Sequence, residues 1–156
     1  MNKDMKSAEV SESMVVFVKM MTHCLTTLSR VKPIFGDPSI ELGLTDLFKY
    51  TGSICVEGPL NGWIALSIPK EFADDLLGFI SEPSREEEVR IDIAGEIANT
   101  VAANGREHFG NRLIIHPSLA TGNGKLDPSL KDSSMVLKMP FKWHGHPASL
   151  LISLFV

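Results

Sequence analysis

Cysteine is scarce: the 156 residues contain only Cys24 and Cys55. Two thiols cannot build a disulfide framework, and they fit a chain folding with buried, reduced cysteines. Clusters of Lys and Arg are missing as well, and the formal net charge is −4. That argues against a partner recognised through its phosphate backbone. Long apolar runs are absent too. The run starting at Met14 is broken by Lys19, the C-terminal run is short, and neither approaches the ~18 residues of a membrane span. The first stretch, Met1–Glu12, mixes Lys3, Asp4, Lys6 and Glu9 and has no signal-peptide apolar core. The expected location is cytoplasmic. No internal repeat and no low-complexity segment is visible.

What is present is an ordinary globular balance, 44 % hydrophobic against 22 % charged residues, which excludes a disordered chain. The length suits a single domain with its own core, spanning 1–156 with 1–12 as a flexible N-terminus.

Hydrophobic spacing predicts a first helix over Ser11–Arg30, with Val15, Phe17, Val18, Met21, Leu25 and Leu28 on a broad apolar face and Pro33 stopping it. Ile34–Gly43, interrupted by Pro38, reads as a loop leading into a short strand. Gly52–Glu57 and Trp63–Ile68 flank Gly58-Pro59-Leu60-Asn61-Gly62 and predict a hairpin. A helix follows Pro69 to Ile80, burying Phe72, Leu76 and Phe79 or Ile80. Ser84 as N-cap with Glu87 three residues on predicts a capping box for the next helix, which fades near His108–Gly110.

Beyond that, Leu113–His116 reads as a strand stopped by Pro117, and Thr121–Lys125 as a Gly-rich connection. Met135, Leu137, Met139, Phe141 and Trp143 alternate with Val136, Lys138, Pro140 and Lys142, the period of a strand with one buried face. His144-Gly145-His146-Pro147 makes a turn and Ala148–Val156 the returning strand. The sum is an α+β domain with a largely antiparallel sheet and about three helices.

One helical segment carries more than packing needs. In Asp92-Ile93-Ala94-Gly95-Glu96-Ile97-Ala98-Asn99, the residues Ile93, Ala94, Ile97 and Val101 share an apolar side. At ~100° per residue, Glu96 and Asn99 lie only ~60° apart with Asp92 between them, away from that stripe. A patch of Asp, Glu and Asn beside the small Ala103 offers polar groups to something outside the helix.

Taken with the order of elements around it, this Gly-Glu-x-x-Asn helix resembles the CheC/CheX/FliY family of chemotaxis phosphatases. The similarity is to a CheX-like single domain with the CheC-like fold, and it covers nearly the whole chain after about Met14. The resemblance implies removal of phosphate from the aspartyl-phosphate of a CheY-type response regulator in two-component signalling. It implies Glu96 as the acid that docks a lysine of the regulator and Asn99 as the residue that orients the attacking water. Asp92 and Ala103 would border the docking surface. No cofactor of its own is implied, the Mg²⁺ belonging to the partner, and pairing as a homodimer through the sheet is. Two departures from the family pattern are visible. No other glutamate has Asn three residues on, which favours one site per chain, and Ala103 stands where glycine is frequent. A non-enzymatic binding or adaptor module for a regulator is the alternative, distinguished by whether Asn99 is needed. A small-molecule sensor domain is a third option.

Other groupings have plainer readings. His144-x-His146 would share a face on a strand, but Gly145 and Pro147 make it a turn and no carboxylate lies near it in sequence, so no metal site is expected. Adjacent helical residues such as His23 and Cys24 face different ways and make no nucleophilic pair. Thr121-Gly122-Asn123-Gly124-Lys125 lacks the spacing of a phosphate loop. Trp143 and Phe141 read as core, and Asn104 as a buried, hydrogen-bonded amide.

Overall fold

The strand Gly62–Ile68 is buried along its whole length, and the architecture follows from where its two faces go. In the computed structural model, which describes residues 3–43, 46–130 and 135–154 with side chains from residue 11 onward, this strand is β4. Its Ile64, Leu66 and Ile68 join the main core, while Trp63 and Ala65 join a second cluster on the opposite face. A strand covered on both sides reads as a continuous apolar run.

The elements preceding β4 are α1 (Lys3–Ser29), β1 (Ile34–Phe35), β2 (Ser39–Glu41) and β3 (Tyr50–Glu57). After β4 come α2 (Lys70–Phe79), α3 (Glu87–Asn104), the one-turn α4 (Arg106–Phe109), β5 (Ile114–Ile115), β6 (Leu119–Thr121), β7 (Val136–Trp143) and β8 (His146–Leu154). All eight strands belong to one sheet, ordered β1-β7-β8-β4-β3-β5, with β2 also on β7 and β6 also on β3. Every pairing is antiparallel. The fold is thus the expected α+β arrangement, with α1, α2 and α3 packed on the antiparallel sheet. Among the described residues no helix is long and apolar enough to cross a membrane.

The main core joins Phe17, Met21 and Leu25 of α1 with Phe72 and Leu76 of α2 and Ile93, Ile97 and Val101 of α3. Phe141, Trp143, Leu150 and Ile152 come up from the sheet. A buried hydrogen bond ties the first helix to the last hairpin. The Trp143 indole N–H donates to Ser29 Oγ at 3.1 Å, and that hydroxyl donates to the Leu25 carbonyl at 2.6 Å.

Several local expectations shift. The first helix starts at Lys3 rather than Ser11, and Val15 and Leu28 point outward from it. In α2 the buried set is Phe72, Ala73, Leu76 and Leu77, whereas Phe79 and Ile80 stay partly exposed. The capping box does not form. Ser84 Oγ accepts from the Glu86 N–H, Glu86 is the N-cap, and the Glu87 side chain is engaged elsewhere. The Gly-rich connection begins inside β6, whose Thr121 pairs with Thr51. Two short strands, β1 and β2, occupy the segment read as loop, because β7 offers them an edge. In β7 the odd positions Met139, Phe141 and Trp143 are buried as expected, but Met135, just before the strand, is exposed and Val136 enters the second cluster. The returning strand is observed to Leu154; Phe155 and Val156 lie outside the described residues.

Candidate functional site

The helix α3 buries Ile93, Ala94, Gly95, Ile97, Ala98, Val101 and Ala102. Asp92, Glu96 and Asn99 are exposed together on the opposite side, and Ala103 is half-buried at their border. Among the described residues, neither the Glu96 carboxylate nor the Asn99 carboxamide has a hydrogen-bond or ion-pair partner. Beside them, Thr100 Oγ1 donates to the Glu96 backbone carbonyl at 2.9 Å, which leaves the Glu96 side chain untouched. Both functional groups are therefore free to meet another molecule.

Two features hold this face still. The first is a backbone-to-backbone seat. A Cβ at Gly52 of β3 would lie 2.2 Å from the Ala94 carbonyl oxygen and 2.6 Å from the Gly95 nitrogen. Only glycine lets the helix approach the strand so closely. The second is a polar clamp on the first turn of α3. Tyr50 Oη donates to Glu87 Oε2 at 2.7 Å, and Lys49 Nζ lies 3.2 Å from Glu87 Oε1. Arg90 grips Asp74 of α2 through Nε at 2.7 Å and Nη2 at 3.3 Å. A forked guanidinium–carboxylate contact fixes orientation as well as distance. The Tyr50 hydroxyl, with Lys49 and Arg90, holds the Glu87 carboxyl below its ordinary range. Burial, then the contact with Glu87, pushes the Tyr50 phenol up, so it stays a protonated donor.

The sequence profile described as chemotaxis phosphatase CheX matches residues 50–142, more than half of the chain. The chain belongs to the CheX family. Solved structures agree on the fold. A CheX from Desulfovibrio desulfuricans superposes with a TM-score of 0.78 at 21 % identity, covering 92 % of this chain and 99 % of its own. A CheC-like superfamily protein from a Shewanella species gives 0.76 at 18 %, covering all of both chains. The CheX of a Borrelia burgdorferi CheX–CheY–BeF3–Mg²⁺ complex gives 0.71 at 18 %, covering 92 % and 97 %. No curated protein sequence matches the chain. The Glu-x-x-Asn helix lies inside the CheX-matched span.

The other singled-out residues separate. Cys24 is buried, and burial pushes its thiol up to about 11, while His23 is exposed; the two form no reactive pair. In the Thr121–Lys125 loop, Thr121 Oγ1 donates to the Lys125 carbonyl and the Lys125 N–H to Asn123 Oδ1. Its polar groups close on one another, not on an anion. Trp143 and Phe141 are core, as expected. Asn104 is half-buried and its side-chain amide has no hydrogen-bond partner among the described residues, unlike the expected buried, hydrogen-bonded amide. His144 and His146, set aside for want of a nearby carboxylate, meet one brought in by the fold: Asp75 of α2. No local sequence signal pointed to Asp75, because it lies on another element.

Proposed function

We propose that this CheX-family protein hydrolyses the aspartyl-phosphate of a CheY-type response regulator, with Asn99 positioning the attacking water and Glu96 docking the regulator. The observation that carries the reading is the exposed, unpartnered Glu96–Asn99 pair on a helix whose seat is fixed by Gly52 and whose first turn is clamped. The Borrelia relative, solved with CheY, BeF3 and Mg²⁺, supports the class of partner.

The chemistry needs little more than positioning. An acyl phosphate is already activated, and Mg²⁺ held by the regulator neutralises its charge. The Asn99 carboxamide oxygen accepts a hydrogen bond from the water while its N–H donates to a phosphoryl oxygen, without adding a repelling charge, and the water's protons leave on the phosphate. The water oxygen bonds to phosphorus as the bond from phosphorus to the aspartyl oxygen breaks. The products are the free carboxylate and inorganic phosphate. Asp92 and Glu96 present negative charge to a basic group on the regulator, and Ala103 sets how near its loop comes. Pairing as a homodimer belongs to the same proposal; Ile34, Ile40 and Leu42, 74 %, 63 % and 86 % exposed near the β1–β2 edge, offer apolar surface for it.

The test is the decay of phosphorylated CheY-type regulators with wild type, Asn99→Ala and Glu96→Ala. Asn99→Ala should lower kcat by about 100-fold, the scale of losing one aligned polar group at a reacting centre, with binding intact. Glu96→Ala should weaken binding more than it lowers kcat. Unchanged decay with wild type, alongside binding of a regulator, would replace the phosphatase by a non-enzymatic binding module.

A further inference from the structure

Away from the α3 face, Asp75, His144 and His146 form the group of metal-capable side chains that the fold brings together among the described residues. The β7–β8 connection is a two-residue turn, His144-Gly145, with φ of 50° and 80° and Trp143 paired to His146. Two consecutive left-handed residues are the signature of a tight hairpin turn whose twist matches its strands. The turn does not scatter the two imidazoles. It sets their ring centres 6.1 Å apart at 65°, and both face the same carboxylate.

The geometry at that carboxylate is convergent. His146 Nε2 lies 2.9 Å from Asp75 Oδ2, and His144 Nδ1 is hydrogen-bonded to the same oxygen. All three ligating atoms fall within 4.8 Å of one another. A tetrahedral ion with bonds of about 2.1 Å needs donor atoms roughly 3.4 Å apart, a separation inside that spread. The side chains are 48 %, 25 % and 32 % exposed for His144, His146 and Asp75, so small rotations can open the contacts around an ion. Phe72, Phe79 and Trp143 pack against the imidazoles and wall off the inner side.

The surroundings favour a cation. Glu71, one turn before Asp75 on α2, lines the same concavity. Asp74 lines it too, but Arg90 and Lys70 already pair with it. Two imidazoles and a carboxylate are borderline ligands. They suit Zn²⁺ and its neighbours better than Ca²⁺ or Mg²⁺, which take oxygen alone.

We propose that Asp75, His144 and His146 form a binding site for a divalent transition-metal ion of the Zn²⁺ class, with Glu71 or water completing four ligands. The ion would staple α2 to the β7–β8 hairpin. This site is independent of the phosphatase reading.

Isothermal titration of the untagged full chain with ZnCl2 tests it. Wild type should bind one equivalent with a Kd on the order of 1 μM and gain several degrees in Tm relative to EDTA. His144→Asn, chosen because Asn tolerates positive φ, should weaken binding at least tenfold, as should His146→Gln and Asp75→Asn. His108→Gln and His116→Gln, each altering a histidine paired with one glutamate, should leave it unchanged. Circular dichroism in EDTA checks that the variants fold. Titration with Co²⁺ needs no variant: a d–d absorption saturating at one equivalent supports the site. Absence of one-equivalent binding by wild type overturns the proposal, as does binding that survives both His144→Asn and His146→Gln.

Discussion

Gly52→Ala is the substitution that most directly probes how the fold positions the Glu96–Asn99 face. The new methyl would start 2.2 Å from the Ala94 oxygen, 2.4 Å from the Ala94 carbonyl carbon and 2.6 Å from the Gly95 nitrogen. All three are backbone atoms of α3, so no side-chain rotation relieves the clash. Tolerable carbon–oxygen contacts begin at about 3.3 Å, so helix and strand must part by about 1 Å locally. Overpacking of this kind costs roughly 1–3 kcal/mol, and a rigid backbone wall places it at the upper end, ~3 kcal/mol. For a domain of this size that is about 6–12 °C in Tm. In the dephosphorylation assay, a helix displaced by ~1 Å should lose up to about 100-fold in kcat, because the water-orienting amide rides on it. Urea unfolding followed by tryptophan fluorescence measures the first quantity. Gly78→Ala in α2 is the matched control. Its methyl would meet nothing nearer than Arg85 Nη2 at 3.6 Å, so the better helix former should add about 0.5–1 kcal/mol. Equal effects from the two substitutions, or a Gly52→Ala chain within ~0.5 kcal/mol of wild type, would refute the argument that the close approach seats the site.

Two further outcomes follow from the polar contacts. Ser29→Ala leaves the buried Trp143 indole N–H without its acceptor, and urea unfolding should show a loss of about 1–3 kcal/mol; a change under ~0.5 kcal/mol would mean the bond at 3.1 Å contributes nothing. Glu87 has its carboxyl depressed in the folded chain by Tyr50, Lys49 and Arg90, so its contribution is fully present above the ordinary glutamate value of about 4.3 and is lost as pH falls through the lower folded value. Glu87→Gln should therefore flatten the acid limb of stability against pH relative to wild type, and an unchanged limb would show that the clamp is not electrostatic.

Much of the α3 site was legible from spacing. Helical periodicity is a local property, so it assigned Ile93, Ile97 and Val101 to the core and left Asp92, Glu96 and Asn99 outside, as the structure shows. The long hairpins were legible for the same reason, since alternation and turn residues act over a few positions. The failures were tertiary. Glu87 is drawn from its expected cap to Tyr50, 37 residues away, because a buried phenol needs an acceptor. Val136 departs from its strand's alternation because the sheet's second face has its own apolar cluster with Trp63, Ala65 and Leu151.

The sequence by itself determined the α+β class, the family and the exposed Glu96–Asn99 pair, all of which rest on patterns within one element or on element order. Only the tertiary structure decided that α3 lies against Gly52 with no room for a methyl group, and that Asp75 meets His144 and His146 from 69 and 71 residues away. Spacing along a chain constrains neighbours on one helix or strand. Which side chains of different elements converge depends on how the faces of α2 and the β7–β8 hairpin bury their apolar surface against each other, and no local pattern encodes that.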